Sequence, residues 1–319
     1  MRSFAASGLP LALVASLSAL LTGCGTDQYA RMLVEPNTTY GQLNEALMAS
    51  SPQLVRSGTV ALAPRITMPD GTEIDAWILT ANVADGEDPR GTVMVLHGLA
   101  DAKVSYLALG RMLAERGFDV VLPDLRAHGR SGGEYVTYGA REKLDLLRVM
   151  DELYDRERVA EPLYVVGADV GGMTAIQYAA IDPRVEGVLA LAAPLDMAVT
   201  ADRMLRRVAP LLTREEVADA INRAGDLAGF DPAEASALRA IEQVRVPVIL
   251  SHGRLDAVVP FSDSEQRRAA AGGPVELVAH PLLGHVGLLL GRDAAIAARV
   301  ERLAAGRVGV SATTQPSGR

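Results

Sequence analysis

The sequence predicts an α/β domain in which a mostly parallel sheet is flanked by helices and carries a small helical lid. Two observations predict it. From Gly91 onward, short continuous apolar runs alternate with amphipathic stretches. Strands buried on both faces and joined by crossover helices leave that pattern. Between 197 and 243 the alternation stops, and two or three helix-like stretches follow one another with no strand. Roughly 260 residues lie between an amino-terminal segment and a polar tail, enough for one large domain with an insertion.

Taken in order, residues 24–57 read as a tether with a short helix. Stretches 59–67 and 72–80 read as a hairpin around Pro69-Asp70-Gly71, a strong turn signal. Continuous apolar strands are expected at 92–96, 119–122, 163–166, 185–191, 246–250 and 275–278. Helices are expected at 104–116, 141–156, 170–181, 262–271 and 292–303. In the second of these, Leu144, Leu147, Met150 and Tyr154 recur at helical spacing and should face the sheet. The insertion 197–243 falls between two strands. It is expected to lie over their carboxyl ends, where open α/β sheets bind ligands. The domain spans 58–305, the polar tail 306–319, and no internal repeat is visible.

The stretch from Leu163 to Gly172 concentrates the chemistry. A buried strand runs into Gly167-Ala168-Asp169-Val170-Gly171, and a helix opens at Val170. This is the frame of a nucleophile elbow, G-x-[nucleophile]-x-G, whose glycines let a sharp turn pass close to its neighbours. The frame normally holds serine. Here it holds Asp169.

Other segments share one pattern with the elbow. Leu96-His97-Gly98-Leu99 ends the first parallel strand. Asp124-Leu125-Arg126-Ala127-His128-Gly129-Arg130-Ser131-Gly132-Gly133 follows the second, Gly253-Arg254-Leu255-Asp256-Ala257-Val258-Val259-Pro260 a later one, and Leu283-Gly284-His285 comes last. In this order they resemble the α/β-hydrolase superfamily over about 58–305. The nearest likeness is to serine aminopeptidase-like and dienelactone hydrolase-like members. Ala127 stands where their D-x-R-G-H-G-x-S-x-G stretch has glycine. The resemblance implies an oxyanion turn after His97, an acid at Asp256, a histidine at His285 and backbone oxyanion donors at Leu99 and Val170.

His285 is then the expected general base, with Asp256 fixing its tautomer. The rivals are His280, five residues away, and Asp196, after the preceding strand. His97, His128 and His252 are expected to be structural. The five histidines show no metal-ligand spacing and the domain has no thiol, so neither metal nor cofactor is expected.

An aspartate at the elbow changes the reaction. Its unperturbed pKa of about 3.9 leaves it ionised without help from histidine. It attacks best at a saturated carbon bearing a leaving group, giving an alkyl-enzyme ester that activated water then hydrolyses. The resemblance implies more than this chain carries. Dehalogenases and epoxide hydrolases of the superfamily usually show H-D-W-G here and place lid tyrosines over the site. This lid has neither Tyr nor Trp, which leaves Tyr135 and Tyr138 as the other candidates. Three readings stand open. One is a hydrolase acting on a small, fairly apolar substrate through Asp169, His285 and Asp256. The second is a serine-hydrolase descendant that lost its nucleophile and binds a ligand or partner. The third is a structural envelope lipoprotein.

The amino terminus reads as an export signal. Arg2 is followed by an apolar run from Leu9 to Leu21 and then Leu21-Thr22-Gly23-Cys24, which resembles a bacterial lipobox. Cys24 is the only cysteine, so no disulfide competes for it. Loss of 1–23 removes one basic residue of 31 and leaves 39 acidic ones, a net charge near −9. That surface disfavours nucleic acid. The expected location is a membrane, held by acyl chains on Cys24. Gly25 in place of Asp favours an outer membrane, with the domain facing the periplasm.

Overall fold

A computed structural model describes residues 25–36, 60–62, 65–99, 101–289 and 291–308. The strands are β1 (Ala61–Leu62), β2 (Ile66–Thr67), β3 (Glu73–Ile74), β4 (Ala76–Leu79), β5 (Thr92–Leu96), β6 (Asp119–Pro123), β7 (Leu163–Ala168), β8 (Val185–Leu191), β9 (Val248–Gly253) and β10 (Val275–His280). The helices are α1 (Thr26–Val34), α2 (Leu107–Ala114), α3 (Glu142–Asp155), α4 (Val170–Ala179), α5 (Met197–Val208), α6 (Arg214–Ala228), α7 (Ala237–Ile241), α8 (Phe261–Ala270), α9 (His285–Leu289) and α10 (Asp293–Ala304).

Eight strands form one sheet in the order β1-β4-β6-β5-β7-β8-β9-β10. The run from β6 to β10 is parallel, and β4 and β1 are added antiparallel at one edge. Central strands are buried along their whole length, as continuous apolar runs require. One apolar layer includes residues of α3, α4 and the lid helices. The opposite layer draws on α2 and α10. Chain order puts β6 on one side of β5 and β7 on the other. The carboxyl ends of β5 and β7 therefore flank a topological switch point, where a crevice opens.

Three expectations need correction. The hairpin around Pro69-Asp70-Gly71 is divided. Its outer part pairs β1 with β4 in the main sheet, and its inner part pairs β2 with β3 in a separate ribbon. Between β3 and β4 the backbone of Asp75 is engaged elsewhere: its N–H donates to Ser131 Oγ at 2.9 Å, and its carbonyl accepts from Asp124 N–H at 2.9 Å. The buried stripe of α3 is Leu146, Val149, Met150 and Leu153, while Leu144 is 54% exposed and Leu147 and Tyr154 are only half-buried. The i, i+3, i+4, i+7 set faces the sheet, and the expected stripe was rotated from it. Finally, β9 and β10 continue beyond their apolar runs. The polar side chains among the added residues are paired: Ser251 Oγ and His280 Nε2 lie 3.0 Å apart, and His252 Nδ1 and Ser264 Oγ 2.7 Å apart.

The lid contains two substantial helices. Asp196 caps α5 through the Val199 N–H at 2.8 Å. Thr213 and Glu216 form a capping box on α6, which ends at Gly229 with φ of 66°. The expected short helix after Cys24 is α1, and it is docked on the lid. Ala30, Leu33 and Val34 are buried in one cluster with Val217, Ala220 and Ala224 of α6. Arg223 of α6 donates to Asp27 at 2.6 Å. The signal segment 1–23, Cys24 and the span from 37 to 59 lie outside the described residues, as does most of the tail.

Candidate active site

Asp169 sits where β7 gives way to α4, with φ of 51° and ψ of −122°. This left-handed backbone is costly for a residue with a side chain. Neighbouring glycines make it possible. A Cβ on Gly167 would lie 2.2 Å from the Gly171 carbonyl, and one on Gly171 would lie 2.3 Å from the His97 carbonyl. The strained turn pushes the Asp169 side chain out beyond the sheet, beside the turn that follows β5.

That turn carries the first of the two expected backbone donors. Leu99 N–H donates to Asp169 Oδ2 at 3.1 Å. The Val170 N–H also reaches the carboxylate. Both donors expected from the resemblance therefore converge, and what they hold is the protein's own Asp169. The turn is fixed by His97, which is fully buried. Its Nε2 accepts the Leu125 N–H at 2.9 Å, and its Nδ1 lies 2.8 Å from the Gly98 carbonyl. Beneath it, Lys103 is buried between Asp75 and Asp124. Asp124 also accepts N–H groups from Lys103 and Arg130, at 2.9 and 2.8 Å. Ala127 has φ of 61°, a conformation that glycine adopts more readily than alanine.

His285 opens α9 and faces the carboxylate. Its Nε2 lies 3.8 Å from Asp169 Oδ1. Its Nδ1 lies 2.8 Å from Asp256 Oδ2. Asp256 is well anchored, because Val258 and Val259 N–H both donate to its Oδ1 at 2.8 Å. His252 Nε2 stands 3.3 Å from its Oδ2. The rivals fall away on geometry. His280 is taken up by Ser251 and Arg299, and Asp196 is spent as the α5 cap. His128 packs on His97 at 5.0 Å between ring centres, and burial holds its pKa down near about 3.

Electrostatics follow from these contacts. Burial pushes the Asp169 carboxyl above its ordinary value, against the opposing pull of His285 and the two backbone donors. For His285, burial disfavours the imidazolium, but the Asp256 hydrogen bond and the Asp169 and Asp256 charges outweigh it and raise its pKa. Burial alone would raise Asp256. Its hydrogen bonds from His252, His285 and Val259 win and hold it well below the usual carboxylate range.

A cavity of about 170 Å³ opens above Asp169. Leu99, Tyr138, Val170, Pro194, Val258 and Val259 contribute to its walls, and Thr200, Arg203, Met204 and Arg207 of α5 form its lid side. These lid residues lie on one helical face, spaced i, i+3, i+4, i+7. Neither candidate tyrosine offers a proton to the cavity. Tyr138 donates its hydroxyl to the Leu33 carbonyl of α1 at 2.6 Å. Tyr135 is not among the lining residues, and its hydroxyl oxygen accepts from Arg31, also on α1.

Among the described residues, no group of three or more His, Cys, Asp or Glu side chains is arranged to hold a metal ion. No described helix is long and apolar enough to cross a membrane.

Residues 87–224 match a family model described as serine aminopeptidase, S33. An esterase of Pyrococcus furiosus superposes with a TM-score of 0.61 at 24% identity, covering 78% of this chain and 92% of that one. This is the α/β-hydrolase fold. A monoacylglycerol lipase of Mycolicibacterium smegmatis is 28% identical over 208 residues, 60% of this chain and 70% of the lipase. YqkD of Bacillus subtilis, an uncharacterised protein, is 26% identical over 198 residues, again 60% of this chain. That alignment spans 63% of YqkD, just under two thirds of its length. Est1E of Butyrivibrio proteoclasticus superposes with a TM-score of 0.59 at 17% identity, covering 77% of this chain and 99% of that one.

Against the α/β-hydrolase pattern, the sequence reading missed the lid arginines. Arg203 and Arg207 sit in an ordinary amphipathic helix, and only their seven-residue partnership with Thr200 and Met204 signals a shared face. It also missed Arg267, which is fully buried and holds the Ala193 and Pro194 carbonyls at 2.7 and 2.6 Å, fixing the cavity wall after β8. Burial lowers its pKa to about 10.

Proposed function

We propose that the chain is a hydrolase that attacks a saturated carbon through Asp169, on a small and fairly apolar substrate. One observation carries this reading: the two oxygens of Asp169 have different surroundings. Oδ2 rests on the Leu99 N–H, while Oδ1 faces His285 Nε2 across 3.8 Å. Oδ1 displaces the leaving group, which departs with the bonding electron pair, and an alkyl ester forms. Water then attacks the ester carbonyl and gives a proton to His285 Nε2, while charge builds on Oδ2 against the Leu99 and Val170 donors. Collapse releases the alcohol, which takes the proton back from His285, and the regenerated Asp169 carboxyl gives the second proton of that water to solvent, restoring the carboxylate. With the Tyr138 hydroxyl donated to α1 and Tyr135 outside the cavity lining, the leaving group is one that departs unprotonated, such as a halide.

Single turnover in ¹⁸O-labelled water tests the chemistry. One label enters the Asp169 carboxylate if the ester forms and its carbonyl is attacked. Label in the alcohol alone would mean that water attacks the substrate directly.

A second reading has its own support. Asp169 fills the oxyanion site, so the chain also fits a serine-hydrolase descendant that now binds a ligand or partner. The names of the similar esterases and lipase accord with such an ancestry. Ester hydrolysis that appears only in Asp169→Ser, with no turnover of alkyl substrates by the unaltered protein, would favour it.

Lipid anchoring at Cys24 is part of the proposal. Helix α1 begins two residues after this cysteine and packs against α6. An acyl chain there would keep the lid close to the bilayer surface, and an outer-membrane location facing the periplasm follows from Gly25. Loss of radiolabelled palmitate incorporation in Cys24→Ser checks the anchor.

A further inference from the structure

We infer that the substrate carries an anionic head group, a carboxylate, bound at the cavity mouth by Arg207. The inference rests on the cavity above Asp169 being the substrate site.

The lid face contains two guanidinium groups in unlike states. Arg203 is neutralised, because both its terminal nitrogens bond the buried carboxylate of Asp263, at 2.6 and 2.8 Å. Arg207, one turn further along α5, is exposed and donates to the Ala257 carbonyl. Among the described residues no carboxylate is within ion-pair distance of it. Its positive charge therefore stands unbalanced at a cavity whose remaining lining is mainly apolar. The Ala257 contact holds the guanidinium over the loop that carries Asp256, Val258 and Val259.

Charge is thus segregated along the cavity. Asp169 lies at the base and Arg207 on the lid side, with Met204, Val258 and Val259 supplying apolar wall. An anion at the base would meet the Asp169 carboxylate and be repelled. A carboxylate at Arg207 gains a charge-assisted hydrogen bond from a planar guanidinium whose geometry matches it. A substrate with one anionic end and one apolar end consequently has one favourable orientation, with its apolar carbon delivered to Oδ1. The chain as a whole carries a net charge of −8 and repels anions, so a local cation is the feature that would draw one in.

Isothermal titration with hexanoate and with hexanamide, two isosteric unreactive probes, tests this on the intact protein. Hexanoate is expected to bind at least tenfold more tightly at low salt, with the preference shrinking as salt rises. In Arg207→Gln the preference should fall below twofold, while Arg207→Lys keeps part of it. An unchanged melting temperature in both variants shows that the fold is intact. Equal affinities, no binding of either probe, or a preference that survives Arg207→Gln would overturn the inference. The labelling experiment on Asp169 is independent. A hexanoate preference without label incorporation would sustain this subsite and remove the covalent mechanism.

Discussion

His285 Nε2 stands 3.8 Å from Asp169 Oδ1, too far for a direct hydrogen bond and suited to a shared water. A water about 2.8 Å from each atom would sit at the apex of a triangle over the carboxylate. Once Oδ1 is esterified, that position approaches the ester carbonyl carbon from the side of the imidazole. Asp256 behind the ring holds Nδ1 at 2.8 Å and leaves Nε2 as the basic nitrogen.

This arrangement separates the two chemical steps. Removing the imidazole should spare attack by Asp169 and abolish hydrolysis of the ester. With a short bromoalkane, His285→Gln is expected to release bromide in a burst of about one equivalent and then stop, with turnover down by roughly 10³-fold or more. Mass spectrometry should find the alkyl group on the peptide containing Asp169. Continued bromide release at the rate of the unaltered protein would show that His285 does not serve the second step.

Asp169→Asn gives two linked outcomes. The Asp169 charge helps to raise the His285 pKa, so its removal should lower that pKa, read from the imidazole proton shifts by NMR. The second outcome concerns stability. Folding raises the Asp169 pKa because burial disfavours its charge. The charge therefore costs stability above the folded pKa and nothing below the unfolded one. The variant should melt higher than the unaltered protein at pH 8, with the difference fading toward pH 4. A His285 pKa that stays in place, or a gain in stability that grows on acidification, would contradict this assignment of charges.

The fold and most of the site were legible because both depend on local pattern. Apolar runs marked β5 to β8, since strands buried on two faces tolerate little else. The turns around Asp169, Asp256 and His285 had recognisable neighbours, as a strained elbow and a capped loop demand particular residues. Contacts between distant segments left no such trace. Nothing in the run from Thr26 to Val34 says that Leu33 will pack against α6, or that its carbonyl will take the Tyr138 hydroxyl from 105 residues away. The α3 stripe was misread because Leu144 is apolar yet exposed, while the charged Asp145 and Glu142 are buried by virtue of partners. Arg126 pairs with Asp145 at 2.7 Å, and Glu142 accepts the Thr137 and Gly139 N–H groups at 2.7 Å. Hydrophobicity alone cannot register such pairings.

The Arg203–Asp263 pair should contribute to lid stability in an asymmetric way. Asp263 is fully buried, and Arg203 retains 29% exposure of its side chain. Arg203→Met leaves a buried carboxylate without its cation, and a loss of about 2–4 kcal/mol is expected in urea unfolding at neutral pH. The double variant Arg203→Met, Asp263→Leu should recover part of that loss, since the buried carboxylate is gone while Arg267, which also feels the Asp263 charge, keeps its Ala193 and Pro194 carbonyl partners. If the single and double variants unfold alike, the pair is a surface contact in energetic terms.

Helix α1 joins the lid to the cavity wall, and Leu33 is where the two connections meet. Its side chain is 1% exposed in the cluster shared with α6, and its backbone carbonyl accepts the Tyr138 hydroxyl. Nearby, the Val34 carbonyl accepts the Val136 N–H at 2.9 Å. Leu33→Ala keeps every backbone hydrogen bond but opens a void, at a cost of about 2–4 kcal/mol. Because α1 packs on α6 and on the 135–138 loop, the loss should be concentrated there. Hydrogen exchange should quicken at the buried turns of α6 and at the amides of Val136 and Tyr138, while β5, β7 and β8 exchange as before. Tyr138 lines the cavity, so ligand affinity should weaken along with lid protection. Uniformly faster exchange across the sheet would instead mean that α1 stabilises the domain as a whole and does not act as a strut between lid and site.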